Sequence, residues 1–409
     1  MTIEQIRTHF PLLQNETVYG KPLVYLDNAA TAQRLDAVLE RGAELSLHAN
    51  ANIHRAVHRL SSLATDAYEN TRDRVKEFIG AASREEIVFT SGTTAAINLV
   101  AFSFGEAFVG KGDEIIVSEV EHHSNIVPWQ LMAQRKKAVL KVLPVDESGH
   151  LMVDSLEKLL SQRTKIVAIS HISNVLGLVN PVTEIVRICH KKGVPVLLDG
   201  AQGIVHEKVN VSELDCDFYV FSGHKIYAAT GTGVLYGKKK WLEAMPPYMG
   251  GGEMIETVRF SGTTFAPLPE KFEAGTQHFN GIPTLAPAMD AMESWREDPE
   301  WNREMDAVRD YVLDALTADP RIRLFGVPRG TSEKIPLFSF VVEGVHHEDL
   351  ALILDKMGIA VRSGQMCAEP TMDRFGVTGM LRASFGPYNT MAEAEYFVQS
   401  LNKAIGMLN

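Results

Sequence analysis

Cysteine is scarce in this sequence: Cys189, Cys216 and Cys367 are the only three in 409 residues. Three thiols so widely scattered cannot build a disulfide framework or a zinc knuckle, so each is read on its own. Positive charge is also short. Forty Lys and Arg stand against 51 Asp and Glu, a formal net charge of −11, and no long basic run occurs, which excludes the cationic face that nucleic acid requires. Long apolar runs are missing too. No stretch approaches the ~20 residues that span a bilayer, and the segment from Met1 to Phe10 lacks the apolar core of a signal peptide. We therefore expect a cytoplasmic protein with no membrane or nucleic-acid partner and no metal site.

What is present is a composition near the globular average, 45% hydrophobic and 22% charged, so function has to come from motifs. From Leu23 to about Gly237, short β-rich apolar runs alternate with helical patterns, the texture of a mostly parallel sheet flanked by helices. Strands are expected at 23–27, 86–91, 114–120, 139–145, 165–170, 195–199, 218–222 and 233–236. Helices are expected at 63–79 and 182–192, where apolar residues recur at three and four positions. Residues 250–281 read as loops and a hairpin. Two helical patterns follow Pro287, then a strand at 337–342, a helix at 347–357 and a last helix from Met391, opened by the capping box Thr390/Glu393. The expected organisation is α/β: an N-terminal segment 1–20 packing with the small domain, a large domain 21–285, and a smaller α+β domain 286–409 that carries Cys367.

Several segments suit catalysis. Lys225, in Phe221-Ser222-Gly223-His224-Lys225, ends an apolar strand among small polar residues, a setting for a Schiff base with an aldehyde cofactor; alone it reads as well as a surface lysine. Asp199 ends the apolar run from Val196, where a carboxylate needs a partner such as a protonated ring nitrogen, or else caps a helix. Thr90-Ser91-Gly92-Thr93-Thr94 leads a strand into a helix whose N-terminus can cradle a phosphate. In Glu121-His122-His123 an imidazole face can stack on a flat ring. Cys189 falls on a helix among Ile185, Val186 and Ile188, and Cys216 sits just before a strand; both read as packing. Cys367 lies in a loop with the cation Arg362 nearby, exposed enough for nucleophilic chemistry.

Taken together, these motifs resemble the pyridoxal-phosphate cysteine desulfurases of the group II, SUF-system type, which are related to the selenocysteine lyases. The likeness covers nearly the whole chain. It runs through Tyr25-Leu26-Asp27-Asn28-Ala29-Ala30-Thr31, Asn52-Ile53-His54-Arg55, Gly92-Thr93-Thr94, the segment from Glu121 to Trp129, Asn174-Val175-Leu176-Gly177, Ser222-Gly223-His224-Lys225, Phe272-Glu273-Ala274-Gly275-Thr276 and Arg382-Ala383-Ser384. The resemblance implies a fold-type I enzyme whose seven-stranded-type large domain binds pyridoxal phosphate, working as a homodimer with its site between subunits. It implies that Lys225 bonds the cofactor, Asp199 pairs with the ring nitrogen, Gln202 meets the ring hydroxyl and His122 stacks on the ring. Thr93, Thr94, Ser222 and His224 then hold the phosphate, joined by Thr276 from across the interface. Asn174, Arg362 and Arg382 match substrate-carboxylate ligands, and Cys367 matches the residue that takes sulfur from L-cysteine as a persulfide.

In this chain Gln365-Met366 stand where the family usually has one or two histidines before the cysteine, which bears on how a sulfur-acceptor protein docks. The resemblance also implies a product that feeds iron–sulfur cluster assembly. Selenocysteine lyase is the alternative. An aminotransferase, which would leave Cys367 idle, and a non-catalytic sulfur-relay scaffold, which would need none of Lys225, Asp199, Arg382 and Cys367, are the more distant readings.

Overall fold

The structure, a computed structural model, describes residues 1–330 and 333–408. Its main sheet has seven strands, numbered here β1 (Ile87–Thr90), β2 (Glu114–Ser118), β3 (Val139–Leu143), β4 (Thr164–Ser170), β5 (Val196–Asp199), β6 (Phe218–Ser222) and β7 (Gly233–Gly237). They lie in the order β1-β7-β6-β5-β4-β2-β3. Only β7 runs against its neighbours; the other pairings are parallel. Both faces are covered, so successive side chains enter two different cores. Along β5, Val196 and Leu198 join one hydrophobic cluster and Leu197 the other, and along β2 Ile116 goes one way while Ile115 and Val117 go the other. That two-sided burial is why these strands read as unbroken apolar runs instead of alternating ones.

The expected strand at 23–27 does not belong to this sheet. Only Val24–Tyr25 is extended, and it pairs in parallel with Ile359–Ala360. The apolar side chains of Val24 and Leu26 bury with Phe338, Phe340 and Leu381, in a cluster separate from the main sheet. The hairpin within 250–281 forms from β8 (Ile255–Arg259) and β9 (Gly262–Phe265).

A second sheet is antiparallel throughout. Its strands are β10 (Ile322–Phe325), β11 (Leu337–Val342), β12 (Arg362–Gly364) and β13 (Met380–Ser384), in the order β10-β11-β13-β12. The helices Pro299–Ala318, His347–Lys356 and Met391–Leu408 send Val312, Leu350 and Phe397 into its core. The last of these begins as expected: Thr390 Oγ1 accepts from the Glu393 N–H at 3.2 Å and Glu393 Oε2 from the Thr390 N–H at 3.1 Å. The N-terminal segment divides its contacts, Ile3 joining this core while Ile6, Phe10 and Leu13 join that of the main sheet. No helix among the described residues is long and apolar enough to cross a membrane.

Candidate active site

The carboxyl ends of β1, β5 and β6 and the start of β7 meet along one edge of the main sheet, the edge where ligands bind in open α/β sheets. Gly233 lies opposite both Thr90 and Ser222. Glycine is required there, because a Cβ on Gly233 would stand 2.4 Å from Gly92 Cα, and Gly92 itself has φ 139°. This close approach sets the first turn of the Thr93–Phe108 helix against Ser222, whose Oγ accepts from the Thr93 N–H at 2.8 Å and lies 2.8 Å from Thr93 Oγ1. Thr94 follows, exposed. A helix N-terminus with three hydroxyls beside it is a donor set for an anion.

A cavity of about 250 Å³ opens over this edge. Thr93, Thr94, His122, Asp199, Gln202 and Ser222 line it, as do His224, Lys225, Asn174, Arg362, Arg382 and Cys367. Of the residues expected from sequence, Thr276 alone is absent from the lining; it is exposed elsewhere on the chain. A larger cavity of about 330 Å³, walled in part by Trp295, Trp301 and Arg296, contains none of them. We place the chemistry in the smaller one, since that is where Lys225, Asp199, Arg382 and the exposed Cys367 converge.

Asp199 is buried, and its Oδ1 accepts from the Ala201 N–H at 3.0 Å. The carboxylate therefore ties the turn after β5 but caps no helix, since the Gly203–His206 helix starts from Gln202 with no side-chain cap, and no cation lies within ion-pair distance among the described residues. Burial holds its pKa above the usual range. Lys225 likewise has no hydrogen-bond or ion-pair partner among the described residues, and burial lowers its amine to about 8, against the pull of Asp199. His122 Nδ1 accepts from the Ser124 N–H at 3.0 Å, which puts any ring proton on Nε2. Burial, with Lys225 nearby, holds this imidazole down at about 4, so it is neutral. The His224 ring, 3.1 Å from Thr31 Oγ1, is also lowered to about 4 by burial. Gln202 Nε2 donates to Ala29 O at 2.9 Å.

The far wall comes from the second sheet. Arg362 and Arg382 are directly opposite each other on β12 and β13, so their side chains leave the same face. Arg382 is buried; Nη1 donates to Asn174 O at 2.9 Å, Nη2 to Asp27 Oδ1 at 3.3 Å, and Nε has no partner among the described residues. Arg362 holds Asp27 with two bonds, Nε to Oδ1 at 3.2 Å and Nη2 to Oδ2 at 2.6 Å.

Cys367 follows β12 and is exposed, whereas Cys189 and Cys216 are buried as expected. Met366 and Cys367 both adopt left-handed backbone, φ 54° and 53°, a conformation that costs a non-glycine residue about 1 kcal/mol or more. Three contacts hold them there. Asn174 Nδ2 donates to Met366 O at 3.0 Å, the His123 N–H to Cys367 O at 2.7 Å, and the Glu369 N–H to His123 Nε2 at 3.0 Å. The Gln365-Met366 departure has a structural counterpart, because Met366 is 7% exposed and packs into the main core. Asp27 and His123 do not line the cavity but hold Arg362, Arg382 and Cys367 in place, and the sequence assigned them no role. Their signal was position, an acid and an imidazole inside segments already singled out.

The profile of the family "Aminotransferase class-V" matches residues 24–397. A probable cysteine desulfurase of Vibrio cholerae is 46% identical over 408 residues, covering 100% of both chains. A cysteine desulfurase of Cronobacter sakazakii is 46% identical over 403 residues, 98% of this chain and 97% of its own. Among solved structures, the cysteine desulfurase CsdA of Escherichia coli, in its S-sulfonic acid form, superposes with a TM-score of 0.90 at 38% identity over 100% of both chains. The apo cysteine desulfurase of Thermococcus onnurineus NA1 does so with a TM-score of 0.92 at 36% identity, over 99% of this chain and 98% of that one.

Proposed function

The chain belongs to the class-V aminotransferase family, and from that premise we propose that it is a cysteine desulfurase, converting L-cysteine to L-alanine and keeping the sulfur as a persulfide on Cys367. One observation carries the reading: the exposed cysteine lines the same cavity as Lys225, while the other two cysteines are buried away from it.

The cofactor of the family is pyridoxal phosphate, and the residues fit it. Asp199 is a buried carboxylate with no ion-pair partner among the described residues, and a protonated ring nitrogen would suit it. The Lys225 amine has no partner among the described residues, and its lowered pKa favours the nucleophilic form needed to bond an aldehyde. Thr93, Thr94, Ser222 and His224 would hold the phosphate, His122 would cover one ring face, and Gln202 would meet the ring hydroxyl. Thr276, exposed and outside the cavity of its own chain, we assign to the neighbouring cavity of a homodimer. When bound, the cofactor supplies an electron sink that makes the substrate's Cα proton removable.

The remaining work falls to the chain. Arg382 and Asn174 line the cavity together, and a charge-assisted bond from this guanidinium to the substrate carboxylate would fix which substrate atoms face the ring. Lys225 Nζ moves the Cα proton. Cys367 Sγ attacks the substrate sulfur; the C–S bond breaks, an S–S bond forms, and the substrate carbon leaves as alanine after protonation. His123 and Asn174 hold the strained turn that presents this thiol.

The finer assignment is to group II, the SUF type, close to the selenocysteine lyases, passing sulfur to an acceptor protein for iron–sulfur cluster assembly. It rests on the ordered motifs from Tyr25 to Arg382. The domain division at 20/21 and 285/286 is part of the same proposal. The deciding experiment measures alanine formed from L-cysteine with a reductant. Wild type is expected to make alanine, and Cys367→Ala to stay yellow yet lose at least ~100-fold in rate, as removal of a nucleophile does. Lys225→Ala is expected to be inactive. A Cys367→Ala rate equal to wild type would sink the persulfide mechanism.

A further inference from the structure

The larger cavity, of about 330 Å³, shares no lining residue with the catalytic one. On one side it is walled by Val205, Glu207 and Tyr227, from the chain after β5 and β6. On the other stand Trp301 and Met305 of the Pro299–Ala318 helix and Phe385, just past β13. Most of its charged groups are already paired. Arg309 holds Asp306 at 2.6 Å, Lys208 holds Glu297 at 3.8 Å and Glu293 holds Arg74, while burial keeps the His206 ring neutral, down at about 3. Three charged groups remain. Lys334, 2% exposed, gives its ammonium to Leu176 O and, at 2.9 Å, to Gly326 O, and burial lowers it to about 7. Arg296 gives Nη2 to the carbonyls of Ile204 and Val205, but its Nε and Nη1 have no partner among the described residues. The Glu207 carboxylate has neither a hydrogen bond nor an ion pair among the described residues, and burial raises its pKa.

Arg296 and Glu207 thus line one cavity with opposite charges, yet they stand beyond ion-pair distance of each other. Opposite charges withdrawn from water attract strongly, and leaving both unpaired is unfavourable unless something bridges them. The bridge must bring an anion to Arg296 and a cation to Glu207. Its body must be apolar, because Trp295, Trp301, Tyr227 and Phe385 make up much of the remaining wall. A carboxylate and an ammonium on a single carbon meet the first demand, and a side chain on that carbon meets the second. We propose that this cavity binds an α-amino acid with a large apolar or aromatic side chain, its carboxylate on Arg296 and its ammonium on Glu207. Lys334 adds positive charge at the carboxylate end. The cavity has the size of a small-molecule site and lies where such sites often occur, between two separately packed units. A ligand there touches the chain just after Gln202, at Val205–Glu207, and just after Arg382, at Phe385–Gly386. It is therefore placed to tie the two walls of the catalytic cavity together.

Titration calorimetry on the holoenzyme tests this, after borohydride has fixed the cofactor on Lys225 so that no added amine can exchange onto it. The probe is L-phenylalanine, expected to bind saturably. Hydrocinnamate, which lacks the ammonium, and phenethylamine, which lacks the carboxylate, should each bind about tenfold more weakly or worse, the scale of one hydrogen bond to a charged group. Glu207→Gln should weaken L-phenylalanine about tenfold and not weaken hydrocinnamate. Arg296→Gln should weaken both and spare phenethylamine. Arg296 also holds two carbonyls, so if that variant fails to fold, Glu207→Gln decides alone, since its carboxylate holds nothing else among the described residues. Glu207 does not line the catalytic cavity, so binding lost in Glu207→Gln is not binding beside Lys225. The proposal is overturned if L-phenylalanine shows no saturable binding, or if hydrocinnamate binds as tightly, which would make this an anion site only. An L-phenylalanine affinity that Glu207→Gln leaves unchanged overturns it too.

Discussion

Glu121 stands one residue before the histidine that lines the cavity, and it is fully buried. Its carboxylate accepts from Ser118 Oγ, the Asn125 amide at 2.7 Å and the Ser170 N–H at 3.0 Å. Burial nevertheless pushes it up to about 7. A carboxyl group raised on folding keeps its proton in the folded chain where the unfolded chain has lost it. Stability therefore falls as pH rises from the unfolded value of 4.5 towards 7, and the deficit then stays constant at about 3 kcal/mol. Glu121→Gln should remove that slope: between pH 5 and 7 its unfolding midpoint is expected to drop less than that of wild type, and parallel curves would refute the assignment. The cavity residues were legible from sequence at this scale because they are reactive types at strand ends. Asp27 and His123 were less so, because each acts through a residue far along the chain, Asp27 on Arg362 at a separation of 335 and His123 on Glu369 at 246. Spacing within a motif carries no sign of such a partner.

At the scale of elements, the seven strands of the main sheet were read almost to their ends, six because burial on both faces leaves continuous apolar runs and the edge strand β3, largely exposed, because it is rich in Val and Leu all the same. Val24–Tyr25 carries the same apolar signal but pairs with Ile359–Ala360, and hydrophobicity alone cannot say which sheet a short strand will join. Two substitutions test how elements fix the site. Gly233→Ala forces β7 and the loop at Gly92 apart; overpacking of this kind costs about 1–3 kcal/mol. It should also loosen the Thr93–Ser222 contact, so the variant is expected to lose cofactor absorbance on dialysis faster than wild type. Thr390→Ala removes a reciprocal cap and should cost about 1 kcal/mol by denaturant unfolding, with the cofactor spectrum unchanged because the last helix does not line the cavity.

Across the whole molecule, one buried network joins parts that are distant in sequence. Arg72, 0% exposed, holds Glu273 with two bonds at 2.7 and 2.9 Å and donates to Ile87 O at 2.8 Å, while Glu273 also accepts from the Phe89 N–H and the Tyr68 hydroxyl. The Arg59–Phe78 helix, β1 and the segment leading to Thr276 are thereby locked together. Glu273→Ala leaves Arg72 its bonds to Glu69 but strands the buried Phe89 N–H and Tyr68 hydroxyl, at about 1–3 kcal/mol each, so it should lower the unfolding midpoint more than any surface substitution. If the dimer assignment of Thr276 holds, it should also weaken association, measured by sedimentation. The pairing of Val24–Tyr25 with Ile359–Ala360, and with it the hold of Arg362 on Asp27, has a consequence in time as well as space. A ribosome adds about 5–20 residues per second. Asp27 therefore emerges roughly 17–70 s before the arginine that it must neutralise. The nascent chain can close its main sheet early, but it has no finished wall for a substrate until the last tenth or so of its length has been made.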